Sequence, residues 1–157
     1  DMALPPPSAA NDWHGVFIAR VADAFARVTG GDLVAEAGLD PAALGRGAWE
    51  GRFALLTHDT QAILTYGNRF ALDLWEMDWE TLTRTPSRET APEEDRAARA
   101  EIMAAVERDG FTRAYTGRRV SRTGKFFLIE HATVFTLIDE KGAGFGTGAF
   151  FKSVKRL

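Results

Sequence analysis

The chain has 157 residues, of which 45% are apolar, and this composition suits one domain with a substantial hydrophobic core. Its formal net charge is -3, whereas nucleic-acid-binding proteins usually carry an excess of basic residues. We therefore expect no nucleic-acid partner. The absence of cysteine excludes disulfides, thiolate metal sites and any photochemistry that needs a thiol adduct.

The first ten residues, DMALPPPSAA, lack the charged-then-apolar pattern of a secretion signal, and we predict residues 1–10 to be a flexible leader. No apolar run in the sequence approaches the roughly 18 residues that a membrane-spanning helix needs. We therefore expect a soluble, cytoplasmic protein with no membrane partner.

A helix is predicted over residues 12–29, with Asn11 or Asp12 as its N-cap. Its apolar residues recur at spacings of three and four and form one stripe: Trp13, Phe17, Val21, Ala24, Phe25 and Val28. Residues 32–51 are rich in Ala and Gly and predict no strong element beyond one helical turn.

A β-hairpin is predicted next. Residues 53–57 and 62–66 are rich in apolar and β-branched residues, and the polar stretch 58–61 between them is typical of a turn.

Three helix starts are predicted after the hairpin. Asn68 and Asp78 are each followed by a short apolar segment and are suited to accept hydrogen bonds from the first turn. The stretch Thr90–Glu93 matches a capping box with proline in the first turn, and it predicts the start of a helix over residues 91–109. Gly110 is the predicted C-cap.

Three strands complete the pattern, at 112–121, 125–138 and 143–152, joined by short polar turns. Strands that are segregated around a helical insert predict an α+β fold with an antiparallel sheet. We divide the chain into the leader, an N-terminal helical region (11–50) and a main domain (51–157).

The strand at 125–138 is predicted to be covered on both faces, because both sets of alternating residues are apolar. One set contains Phe126, Leu128, Ala132 and Val134, and the other contains Phe127, Ile129, Phe135 and Leu137. The central helices can cover one face, and the N-terminal helix or a second subunit must cover the other.

Three segments together resemble the MEKHLA domain, a family with a PAS-like fold: YGNRFALDLW, DWETLTRTPSRETA and YTGRRVSRTGKFF. The resemblance spans about residues 53–151. It implies a five-stranded antiparallel sheet with helices on one face and the N-terminal helix on the other. Near the end the family favours Gly-Gln-Ala-Ala, where this chain has the segment 146–149, Gly-Thr-Gly-Ala. A PAS-like fold implies a sensory or interaction module.

The resemblance also implies a cavity between the sheet and the helices. Its expected apolar lining consists of Phe70, Leu74, Ile102 and the aromatic residues of 126–151. Its expected polar anchors, which form the predicted ligand site, are Tyr66, Asn68, Arg88, Tyr115, Arg119 and His131.

Other roles for these side chains remain open. Asn68 could serve only as a helix cap. With a two-residue turn at 123–124, Arg119 would lie opposite Leu128 and near Glu130, with which it could form a structural ion pair, whereas a longer turn would shift the register. A buried His131 needs a hydrogen-bond partner, so a structural role is an alternative to ligand binding.

No catalytic residue or metal site is predicted. No serine has a histidine partner by spacing, and the histidines His14, His58 and His131 match no metal-binding motif. Haem-binding PAS domains commonly take an axial histidine from the helix at 91–109, which has none, so haem is not expected. Flavin remains a weaker alternative.

The predicted function is a PAS-like sensory or regulatory module that binds a small organic acid or aromatic metabolite non-covalently and signals through a protein partner or homodimer. A dimerisation or interaction module with a filled core is the first alternative. A small enzyme is the second, and no residue pattern favours it.

Overall fold

The computed structural model describes residues 4–157, and residues 1–3 of the predicted leader lie outside the described part. Six α-helices occur in that part: α1 (Gly15–Thr29), α2 (Leu33–Glu36), α3 (Leu44–Glu50), α4 (Arg69–Trp75), α5 (Trp79–Leu82) and α6 (Arg96–Asp109). Short 3-10 turns accompany them at Ala9–His14, Pro41–Ala43, Ser87–Thr90 and Glu93–Asp95. Helices α2 and α3 lie in a region for which the sequence predicted only one turn. None of the helices within residues 4–157 has the length and apolar character required to cross a bilayer.

The strands form one antiparallel sheet in the order β2-β1-β5-β4-β3. Their bounds are β1 (Ala54–His58), β2 (Leu64–Gly67), β3 (Phe111–Val120), β4 (Phe126–Ile138), β5 (Gly144–Phe151) and β6 (Ser153–Arg156). The five predicted strands and the α+β class are confirmed. The sixth, β6, was not predicted; it follows β5 after Lys152 and pairs with the first part of β4.

One face of the sheet is covered by α1, as predicted. Phe25 of α1 makes edge-to-face contacts with Phe135 of β4 and Phe150 of β5, with ring centroids 5.0 and 6.5 Å apart. We refer to this side as the α1 face. Fully buried Val21 and Ala24 complete the contact stripe of the helix.

The start of α1 differs from the prediction. Asp12, Trp13 and His14 have positive φ angles, so the helix begins only at Gly15. Gly45 of α3 approaches this turn so closely that an added Cβ would overlap the carbonyl oxygen of Asp12.

Residues of the predicted leader contact the domain. Trp79 donates its indole N–H to the carbonyl oxygen of Leu4 at 2.8 Å, and Pro7 is buried. His14 lies 2.5 Å from the carbonyl oxygen of Pro5 and stacks on Trp79.

The opposite face of the sheet is covered by α4 and α6. Trp75, at the end of α4, packs edge-on against Phe127 and Phe151, with ring centroids 5.1 and 6.2 Å away. The predicted helix at 91–109 begins later, at Arg96, because Thr90 donates its hydroxyl to the carbonyl oxygen of Ser87 instead of capping a helix. We refer to this side as the cavity face.

The predicted alternation of β4 is interrupted at His131, which has a φ of 55° and lies at an irregularity in the pairing with β3. Ile129 and Val134 therefore lie on the cavity face although they are five residues apart, and Phe135 lies on the α1 face. Unbroken alternation would have placed Ile129 and Val134 on opposite faces.

Candidate functional site

A cavity of about 50 Å³ lies between the sheet and the helices α4 and α6, and we call it the central cavity. This volume accommodates a few water molecules or a few heavy atoms of a ligand. Its walls are mostly apolar: Leu56, Leu64, Trp75, Ile102, Met103, Ile129, Val134, Ala149 and Phe151. Its polar lining consists of Thr57, His58, Ser87, Thr90, Arg99, Tyr115, Arg119 and Thr147. Of the predicted apolar lining, Ile102 and the aromatic Phe151 take part, whereas Phe70 and Leu74 pack in the core outside the cavity.

Arg119 enters the cavity from β3 and is only 8% exposed. Its guanidinium donates to the hydroxyl of Tyr115 at 2.9 Å and to the carbonyl oxygen of Arg118 at 2.7 Å, both through one terminal nitrogen. Two of the five N–H donors of an arginine are thus used by the protein. Arg119 and Tyr115 are two of the predicted anchors, and the structure brings them together.

The neighbours of Arg119 follow from the turn between β3 and β4. Ser121 donates its N–H to the carbonyl oxygen of Lys125, so the turn is longer than the expected two residues. The register shifts, and Arg119 lies opposite Phe127 instead of Leu128. The possible ion pair with Glu130 does not form, because Glu130 accepts a hydrogen bond from Ser153 at 3.0 Å.

Arg99 enters the cavity from α6 and donates to the hydroxyl oxygen of Ser87. Burial and, as a smaller effect, the positive charge of Arg119 together lower the pKa of Arg99 to about 10. The side chain is still protonated at neutral pH. Among residues 4–157, no carboxylate forms a salt bridge with either Arg99 or Arg119.

His58, the last residue of β1, lines the cavity beside Arg99. Its Nδ1 lies 2.9 Å from the carbonyl oxygen of Asp59, which can only accept, so Nδ1 carries the proton. Burial lowers the pKa of His58, and the charge of Arg99 adds to this effect, while the bond to Asp59 opposes it. The imidazole is therefore neutral at pH 7, and its Nε2 lone pair remains available.

Tyr66 and Asn68, two predicted anchors, lie outside the cavity. Tyr66 is fully buried on the α1 face between Phe17 and Trp79, at centroid distances of 5.9 and 5.7 Å. Within the described residues its hydroxyl has no hydrogen-bond partner. Burial raises its pKa.

Asn68 is fully buried and hydrogen-bonded at both ends of its amide. Its Oδ1 accepts from the N–H groups of Ala71, as the predicted helix cap, and of Leu55. Its side-chain nitrogen donates to the carbonyl oxygens of Ala48 and Phe53. The side chain joins α3, β1 and α4 and leaves no donor for a ligand.

Arg88 and His131 also lie outside the central cavity. Arg88 is exposed on the far side of the turn that contributes Ser87 and Thr90, beside Arg96 and Arg122. The expectation that His131 is buried in an apolar setting is wrong: it is exposed at the bulge of β4.

Sequence reasoning missed Arg99 and His58. A signal for Arg99 was present, since Arg99, Ile102, Met103 and Val106 follow the spacing i, i+3, i+4, i+7 of one helix face. A single arginine on an otherwise apolar face indicates a buried or functional charge. His58 had no comparable signal, because its position depends on the pairing of β1 with β5.

The cavity offers two cationic donors, a tyrosine hydroxyl and a neutral imidazole within apolar walls. This set suits the binding of an anion. Ser87 accepts a hydrogen bond from Arg99, and His58 bonds to backbone. No group of three or more His, Asp or Glu side chains in the described part of the chain is arranged to hold a metal ion.

Comparison with known proteins identifies the family and the fold. The profile of the MEKHLA domain family matches residues 16–156. The chain resembles a PAS domain from Colwellia psychrerythraea with a TM-score of 0.61 and 17% identity, over 71% of this chain and 92% of that one. It also resembles a PAS domain of a LuxR-family transcriptional regulator from Burkholderia thailandensis, which was solved in complex with ethanol. Here the TM-score is 0.54 and the identity 14%, over 71% of this chain and 95% of that one.

An RNA-binding light-oxygen-voltage receptor gives a TM-score of 0.60 and 19% identity, over 70% of this chain but 32% of the receptor. None of the curated proteins matches the chain. Likenesses at these identities establish the fold, and the predicted PAS-like fold is thereby confirmed.

Proposed function

The chain belongs to the MEKHLA domain family, and from that premise we propose that it is a sensory module that binds a small organic anion non-covalently in the central cavity and signals through a protein partner. The anion is a carboxylate held between Arg99 and Arg119. Tyr115 and His58 complete the polar lining.

The observation that carries this proposal is the pair of arginines without a carboxylate partner. Burying a cation in apolar surroundings is costly unless an opposite charge accompanies it. Here the two guanidinium groups lie in one cavity, and Arg119 lowers the pKa of Arg99 by its charge. A bound carboxylate would supply the missing charge and accept the forked N–H donors that the protein leaves unused.

The volume limits the ligand. A space of about 50 Å³ admits a carboxylate and a few carbon atoms, whereas sites for drug-sized ligands occupy roughly 300–1,000 Å³. A flavin ring system, left open by the sequence, would require most of the cavity wall to move. The small organic acid is therefore the better-supported of the predicted ligands.

The turn Ser87–Thr90 supports signalling to a partner. Ser87 and Thr90 line the cavity, whereas Arg88 and Glu89 are exposed on the other side of the same turn. Since Arg99 hydrogen-bonds Ser87, an anion that attracts Arg99 would alter the contact that holds this turn. A protein that binds the exposed side could detect the change.

Isothermal titration calorimetry with acetate, butyrate and benzoate, each compared with its uncharged amide, tests the proposal. We expect at least one acid to bind at least tenfold more tightly than its amide, and Arg119→Met to remove that preference. Arg88→Met is the matched control and should bind as the wild type does, because Arg88 lies outside the cavity.

The proposal fails if none of the acids binds or if Arg119→Met binds them unchanged. An interaction module that uses its surface and leaves the cavity empty would then be the better account.

A further inference from the structure

The central cavity adjoins an open groove. The groove runs between α6 and the edge formed by the end of β1 and the start of β5, has a volume of about 570 Å³, and is called the α6 groove here. Four residues line both spaces: His58, Arg99, Met103 and Thr147. These four side chains stand between the two spaces, so a ligand that occupies both would pass among them.

The α6 groove differs from the cavity in chemistry. Half of its lining residues are apolar or glycine: Ala62, Ala100, Met103, Ala104, Val106, Gly144 and Gly146. Gly146 must stay without a side chain, because a Cβ there would overlap the carbonyl oxygen of His58. Among the described residues, Arg99 at the junction with the cavity is the one arginine or lysine in its lining.

Basic and acidic side chains are separated between the cavity and the groove. The cavity end holds Arg99 and Arg119, whereas Asp59 and Glu107 lie in the groove. Glu107 is exposed, about two helical turns beyond Arg99 on α6, and forms no salt bridge with any described residue. A second carboxylate at the far end of a ligand would approach these acidic side chains and be disfavoured.

We infer that the ligand is an unbranched monocarboxylic acid of medium chain length, with its carboxylate in the central cavity and its alkyl chain along the α6 groove. This inference rests on the proposed function for its anionic head and adds the chain. From Arg99 to Glu107 the helix rises about 12 Å, at about 1.5 Å per residue, which suits a chain of roughly six to ten carbons. Burial of each methylene then strengthens binding.

Calorimetry with butyrate, hexanoate, octanoate and suberate, all below micelle-forming concentrations, measures the contribution of the chain. We expect the Kd to fall about twofold to fourfold for each added methylene up to octanoate, as partial to full burial of a methylene gives. Suberate, the eight-carbon diacid, should bind more weakly than octanoate.

Ala104 lines the groove and not the cavity, so Ala104→Trp places a large side chain in the groove. It should abolish the gain from the longer chain and leave butyrate unchanged. Ala97→Trp, at an exposed position of α6 outside both spaces, is the control.

The outcomes separate the two proposals. If butyrate binds through Arg119 but the Kd does not depend on chain length, or if Ala104→Trp has no effect on octanoate, the inference is overturned and the anion site stands. If octanoate binds equally well to Arg119→Met, or as well as octanamide does, the orientation of the ligand is overturned. If neither short nor long acids bind, both proposals fail.

Discussion

The two faces of the sheet use the same strands in different ways. On the α1 face, aromatic side chains such as Phe25, Phe135 and Phe150 interlock at buried contacts. On the cavity face, the side chains leave a void and expose Arg99 and Arg119 to it. Packing of this kind stabilises a fold, whereas an uncompensated charge beside a void destabilises it unless a ligand is bound. The α1 face is thus packed throughout, whereas the cavity face combines packed rings around Trp75 with an open space lined by two arginines.

The largest expected effect comes from breaking the packed face. Phe25→Ala should lower the free energy of unfolding by about 3–5 kcal/mol, because it removes a fully buried ring from contact with two others. Met103→Ala, at a half-buried position in the cavity wall, should cost less than about 2 kcal/mol. Urea denaturation compares the two variants. Equal losses would contradict the division between the faces.

Removing a charge from the cavity should increase the stability of the protein. Arg99→Met should raise the free energy of unfolding of the ligand-free protein by about 1–3 kcal/mol, because it removes a cation that is desolvated and repelled by Arg119. Arg108→Met, exposed on the same helix, should change it by less than about 0.5 kcal/mol. If Arg99→Met were less stable than the wild type, the contacts of Arg99 with Ser87 and the helix would stabilise the fold by more than its buried charge destabilises it.

Tyr66 is the exception on the packed face, since its buried hydroxyl has no partner among the described residues. Tyr66→Phe keeps the ring contacts and removes the unsatisfied group, so we expect a gain of about 1 kcal/mol in thermal or urea unfolding. Tyr115→Phe is the matched control and should give no gain, because its hydroxyl accepts a hydrogen bond from Arg119. A loss in Tyr66→Phe would indicate a partner for this hydroxyl.

The smallest predicted effect is a pH dependence from His58. Its pKa is lowered in the folded protein, so the unfolded chain takes up the proton first as the pH falls. Stability should be fully present above about pH 6.5 and decline as the pH falls below it. Unfolding curves of the wild type and His58→Asn between pH 7.5 and 5 should diverge in slope. Parallel curves would show that His58 does not sense the cavity.

Local signals predicted much of the fold. Asn68 caps α4 as expected, and Gly110 closes α6 through its N–H to Val106. Both roles depend on residues three or four positions away. Asn68 also donates hydrogen bonds to the carbonyl oxygens of Ala48 and Phe53, which are 20 and 15 positions away. Sequence periodicity does not predict contacts over such separations.

The prediction of the site was less accurate because it depended on the pairing register of β3 and β4. Alternation through β4 placed His131 in the interior, but a single bulge residue with positive φ moves it to the surface. The turn after β3 decided which residue Arg119 would face, and its length could not be read from the sequence. The position of Arg99, in contrast, could have been predicted from helical spacing, because the residues of one helix face are close in sequence.

The measurement that tests the central claim most directly is nuclear magnetic resonance of the arginine Nε–H groups during a titration with butyrate. If the cavity arginines hold the carboxylate, the signals of Arg99 and Arg119 should shift together and saturate at one Kd, while that of Arg88 stays in place. Arg119→Met should abolish the shift of Arg99 at the same concentrations. Saturating binding of butyrate with no change at either cavity arginine would contradict the account.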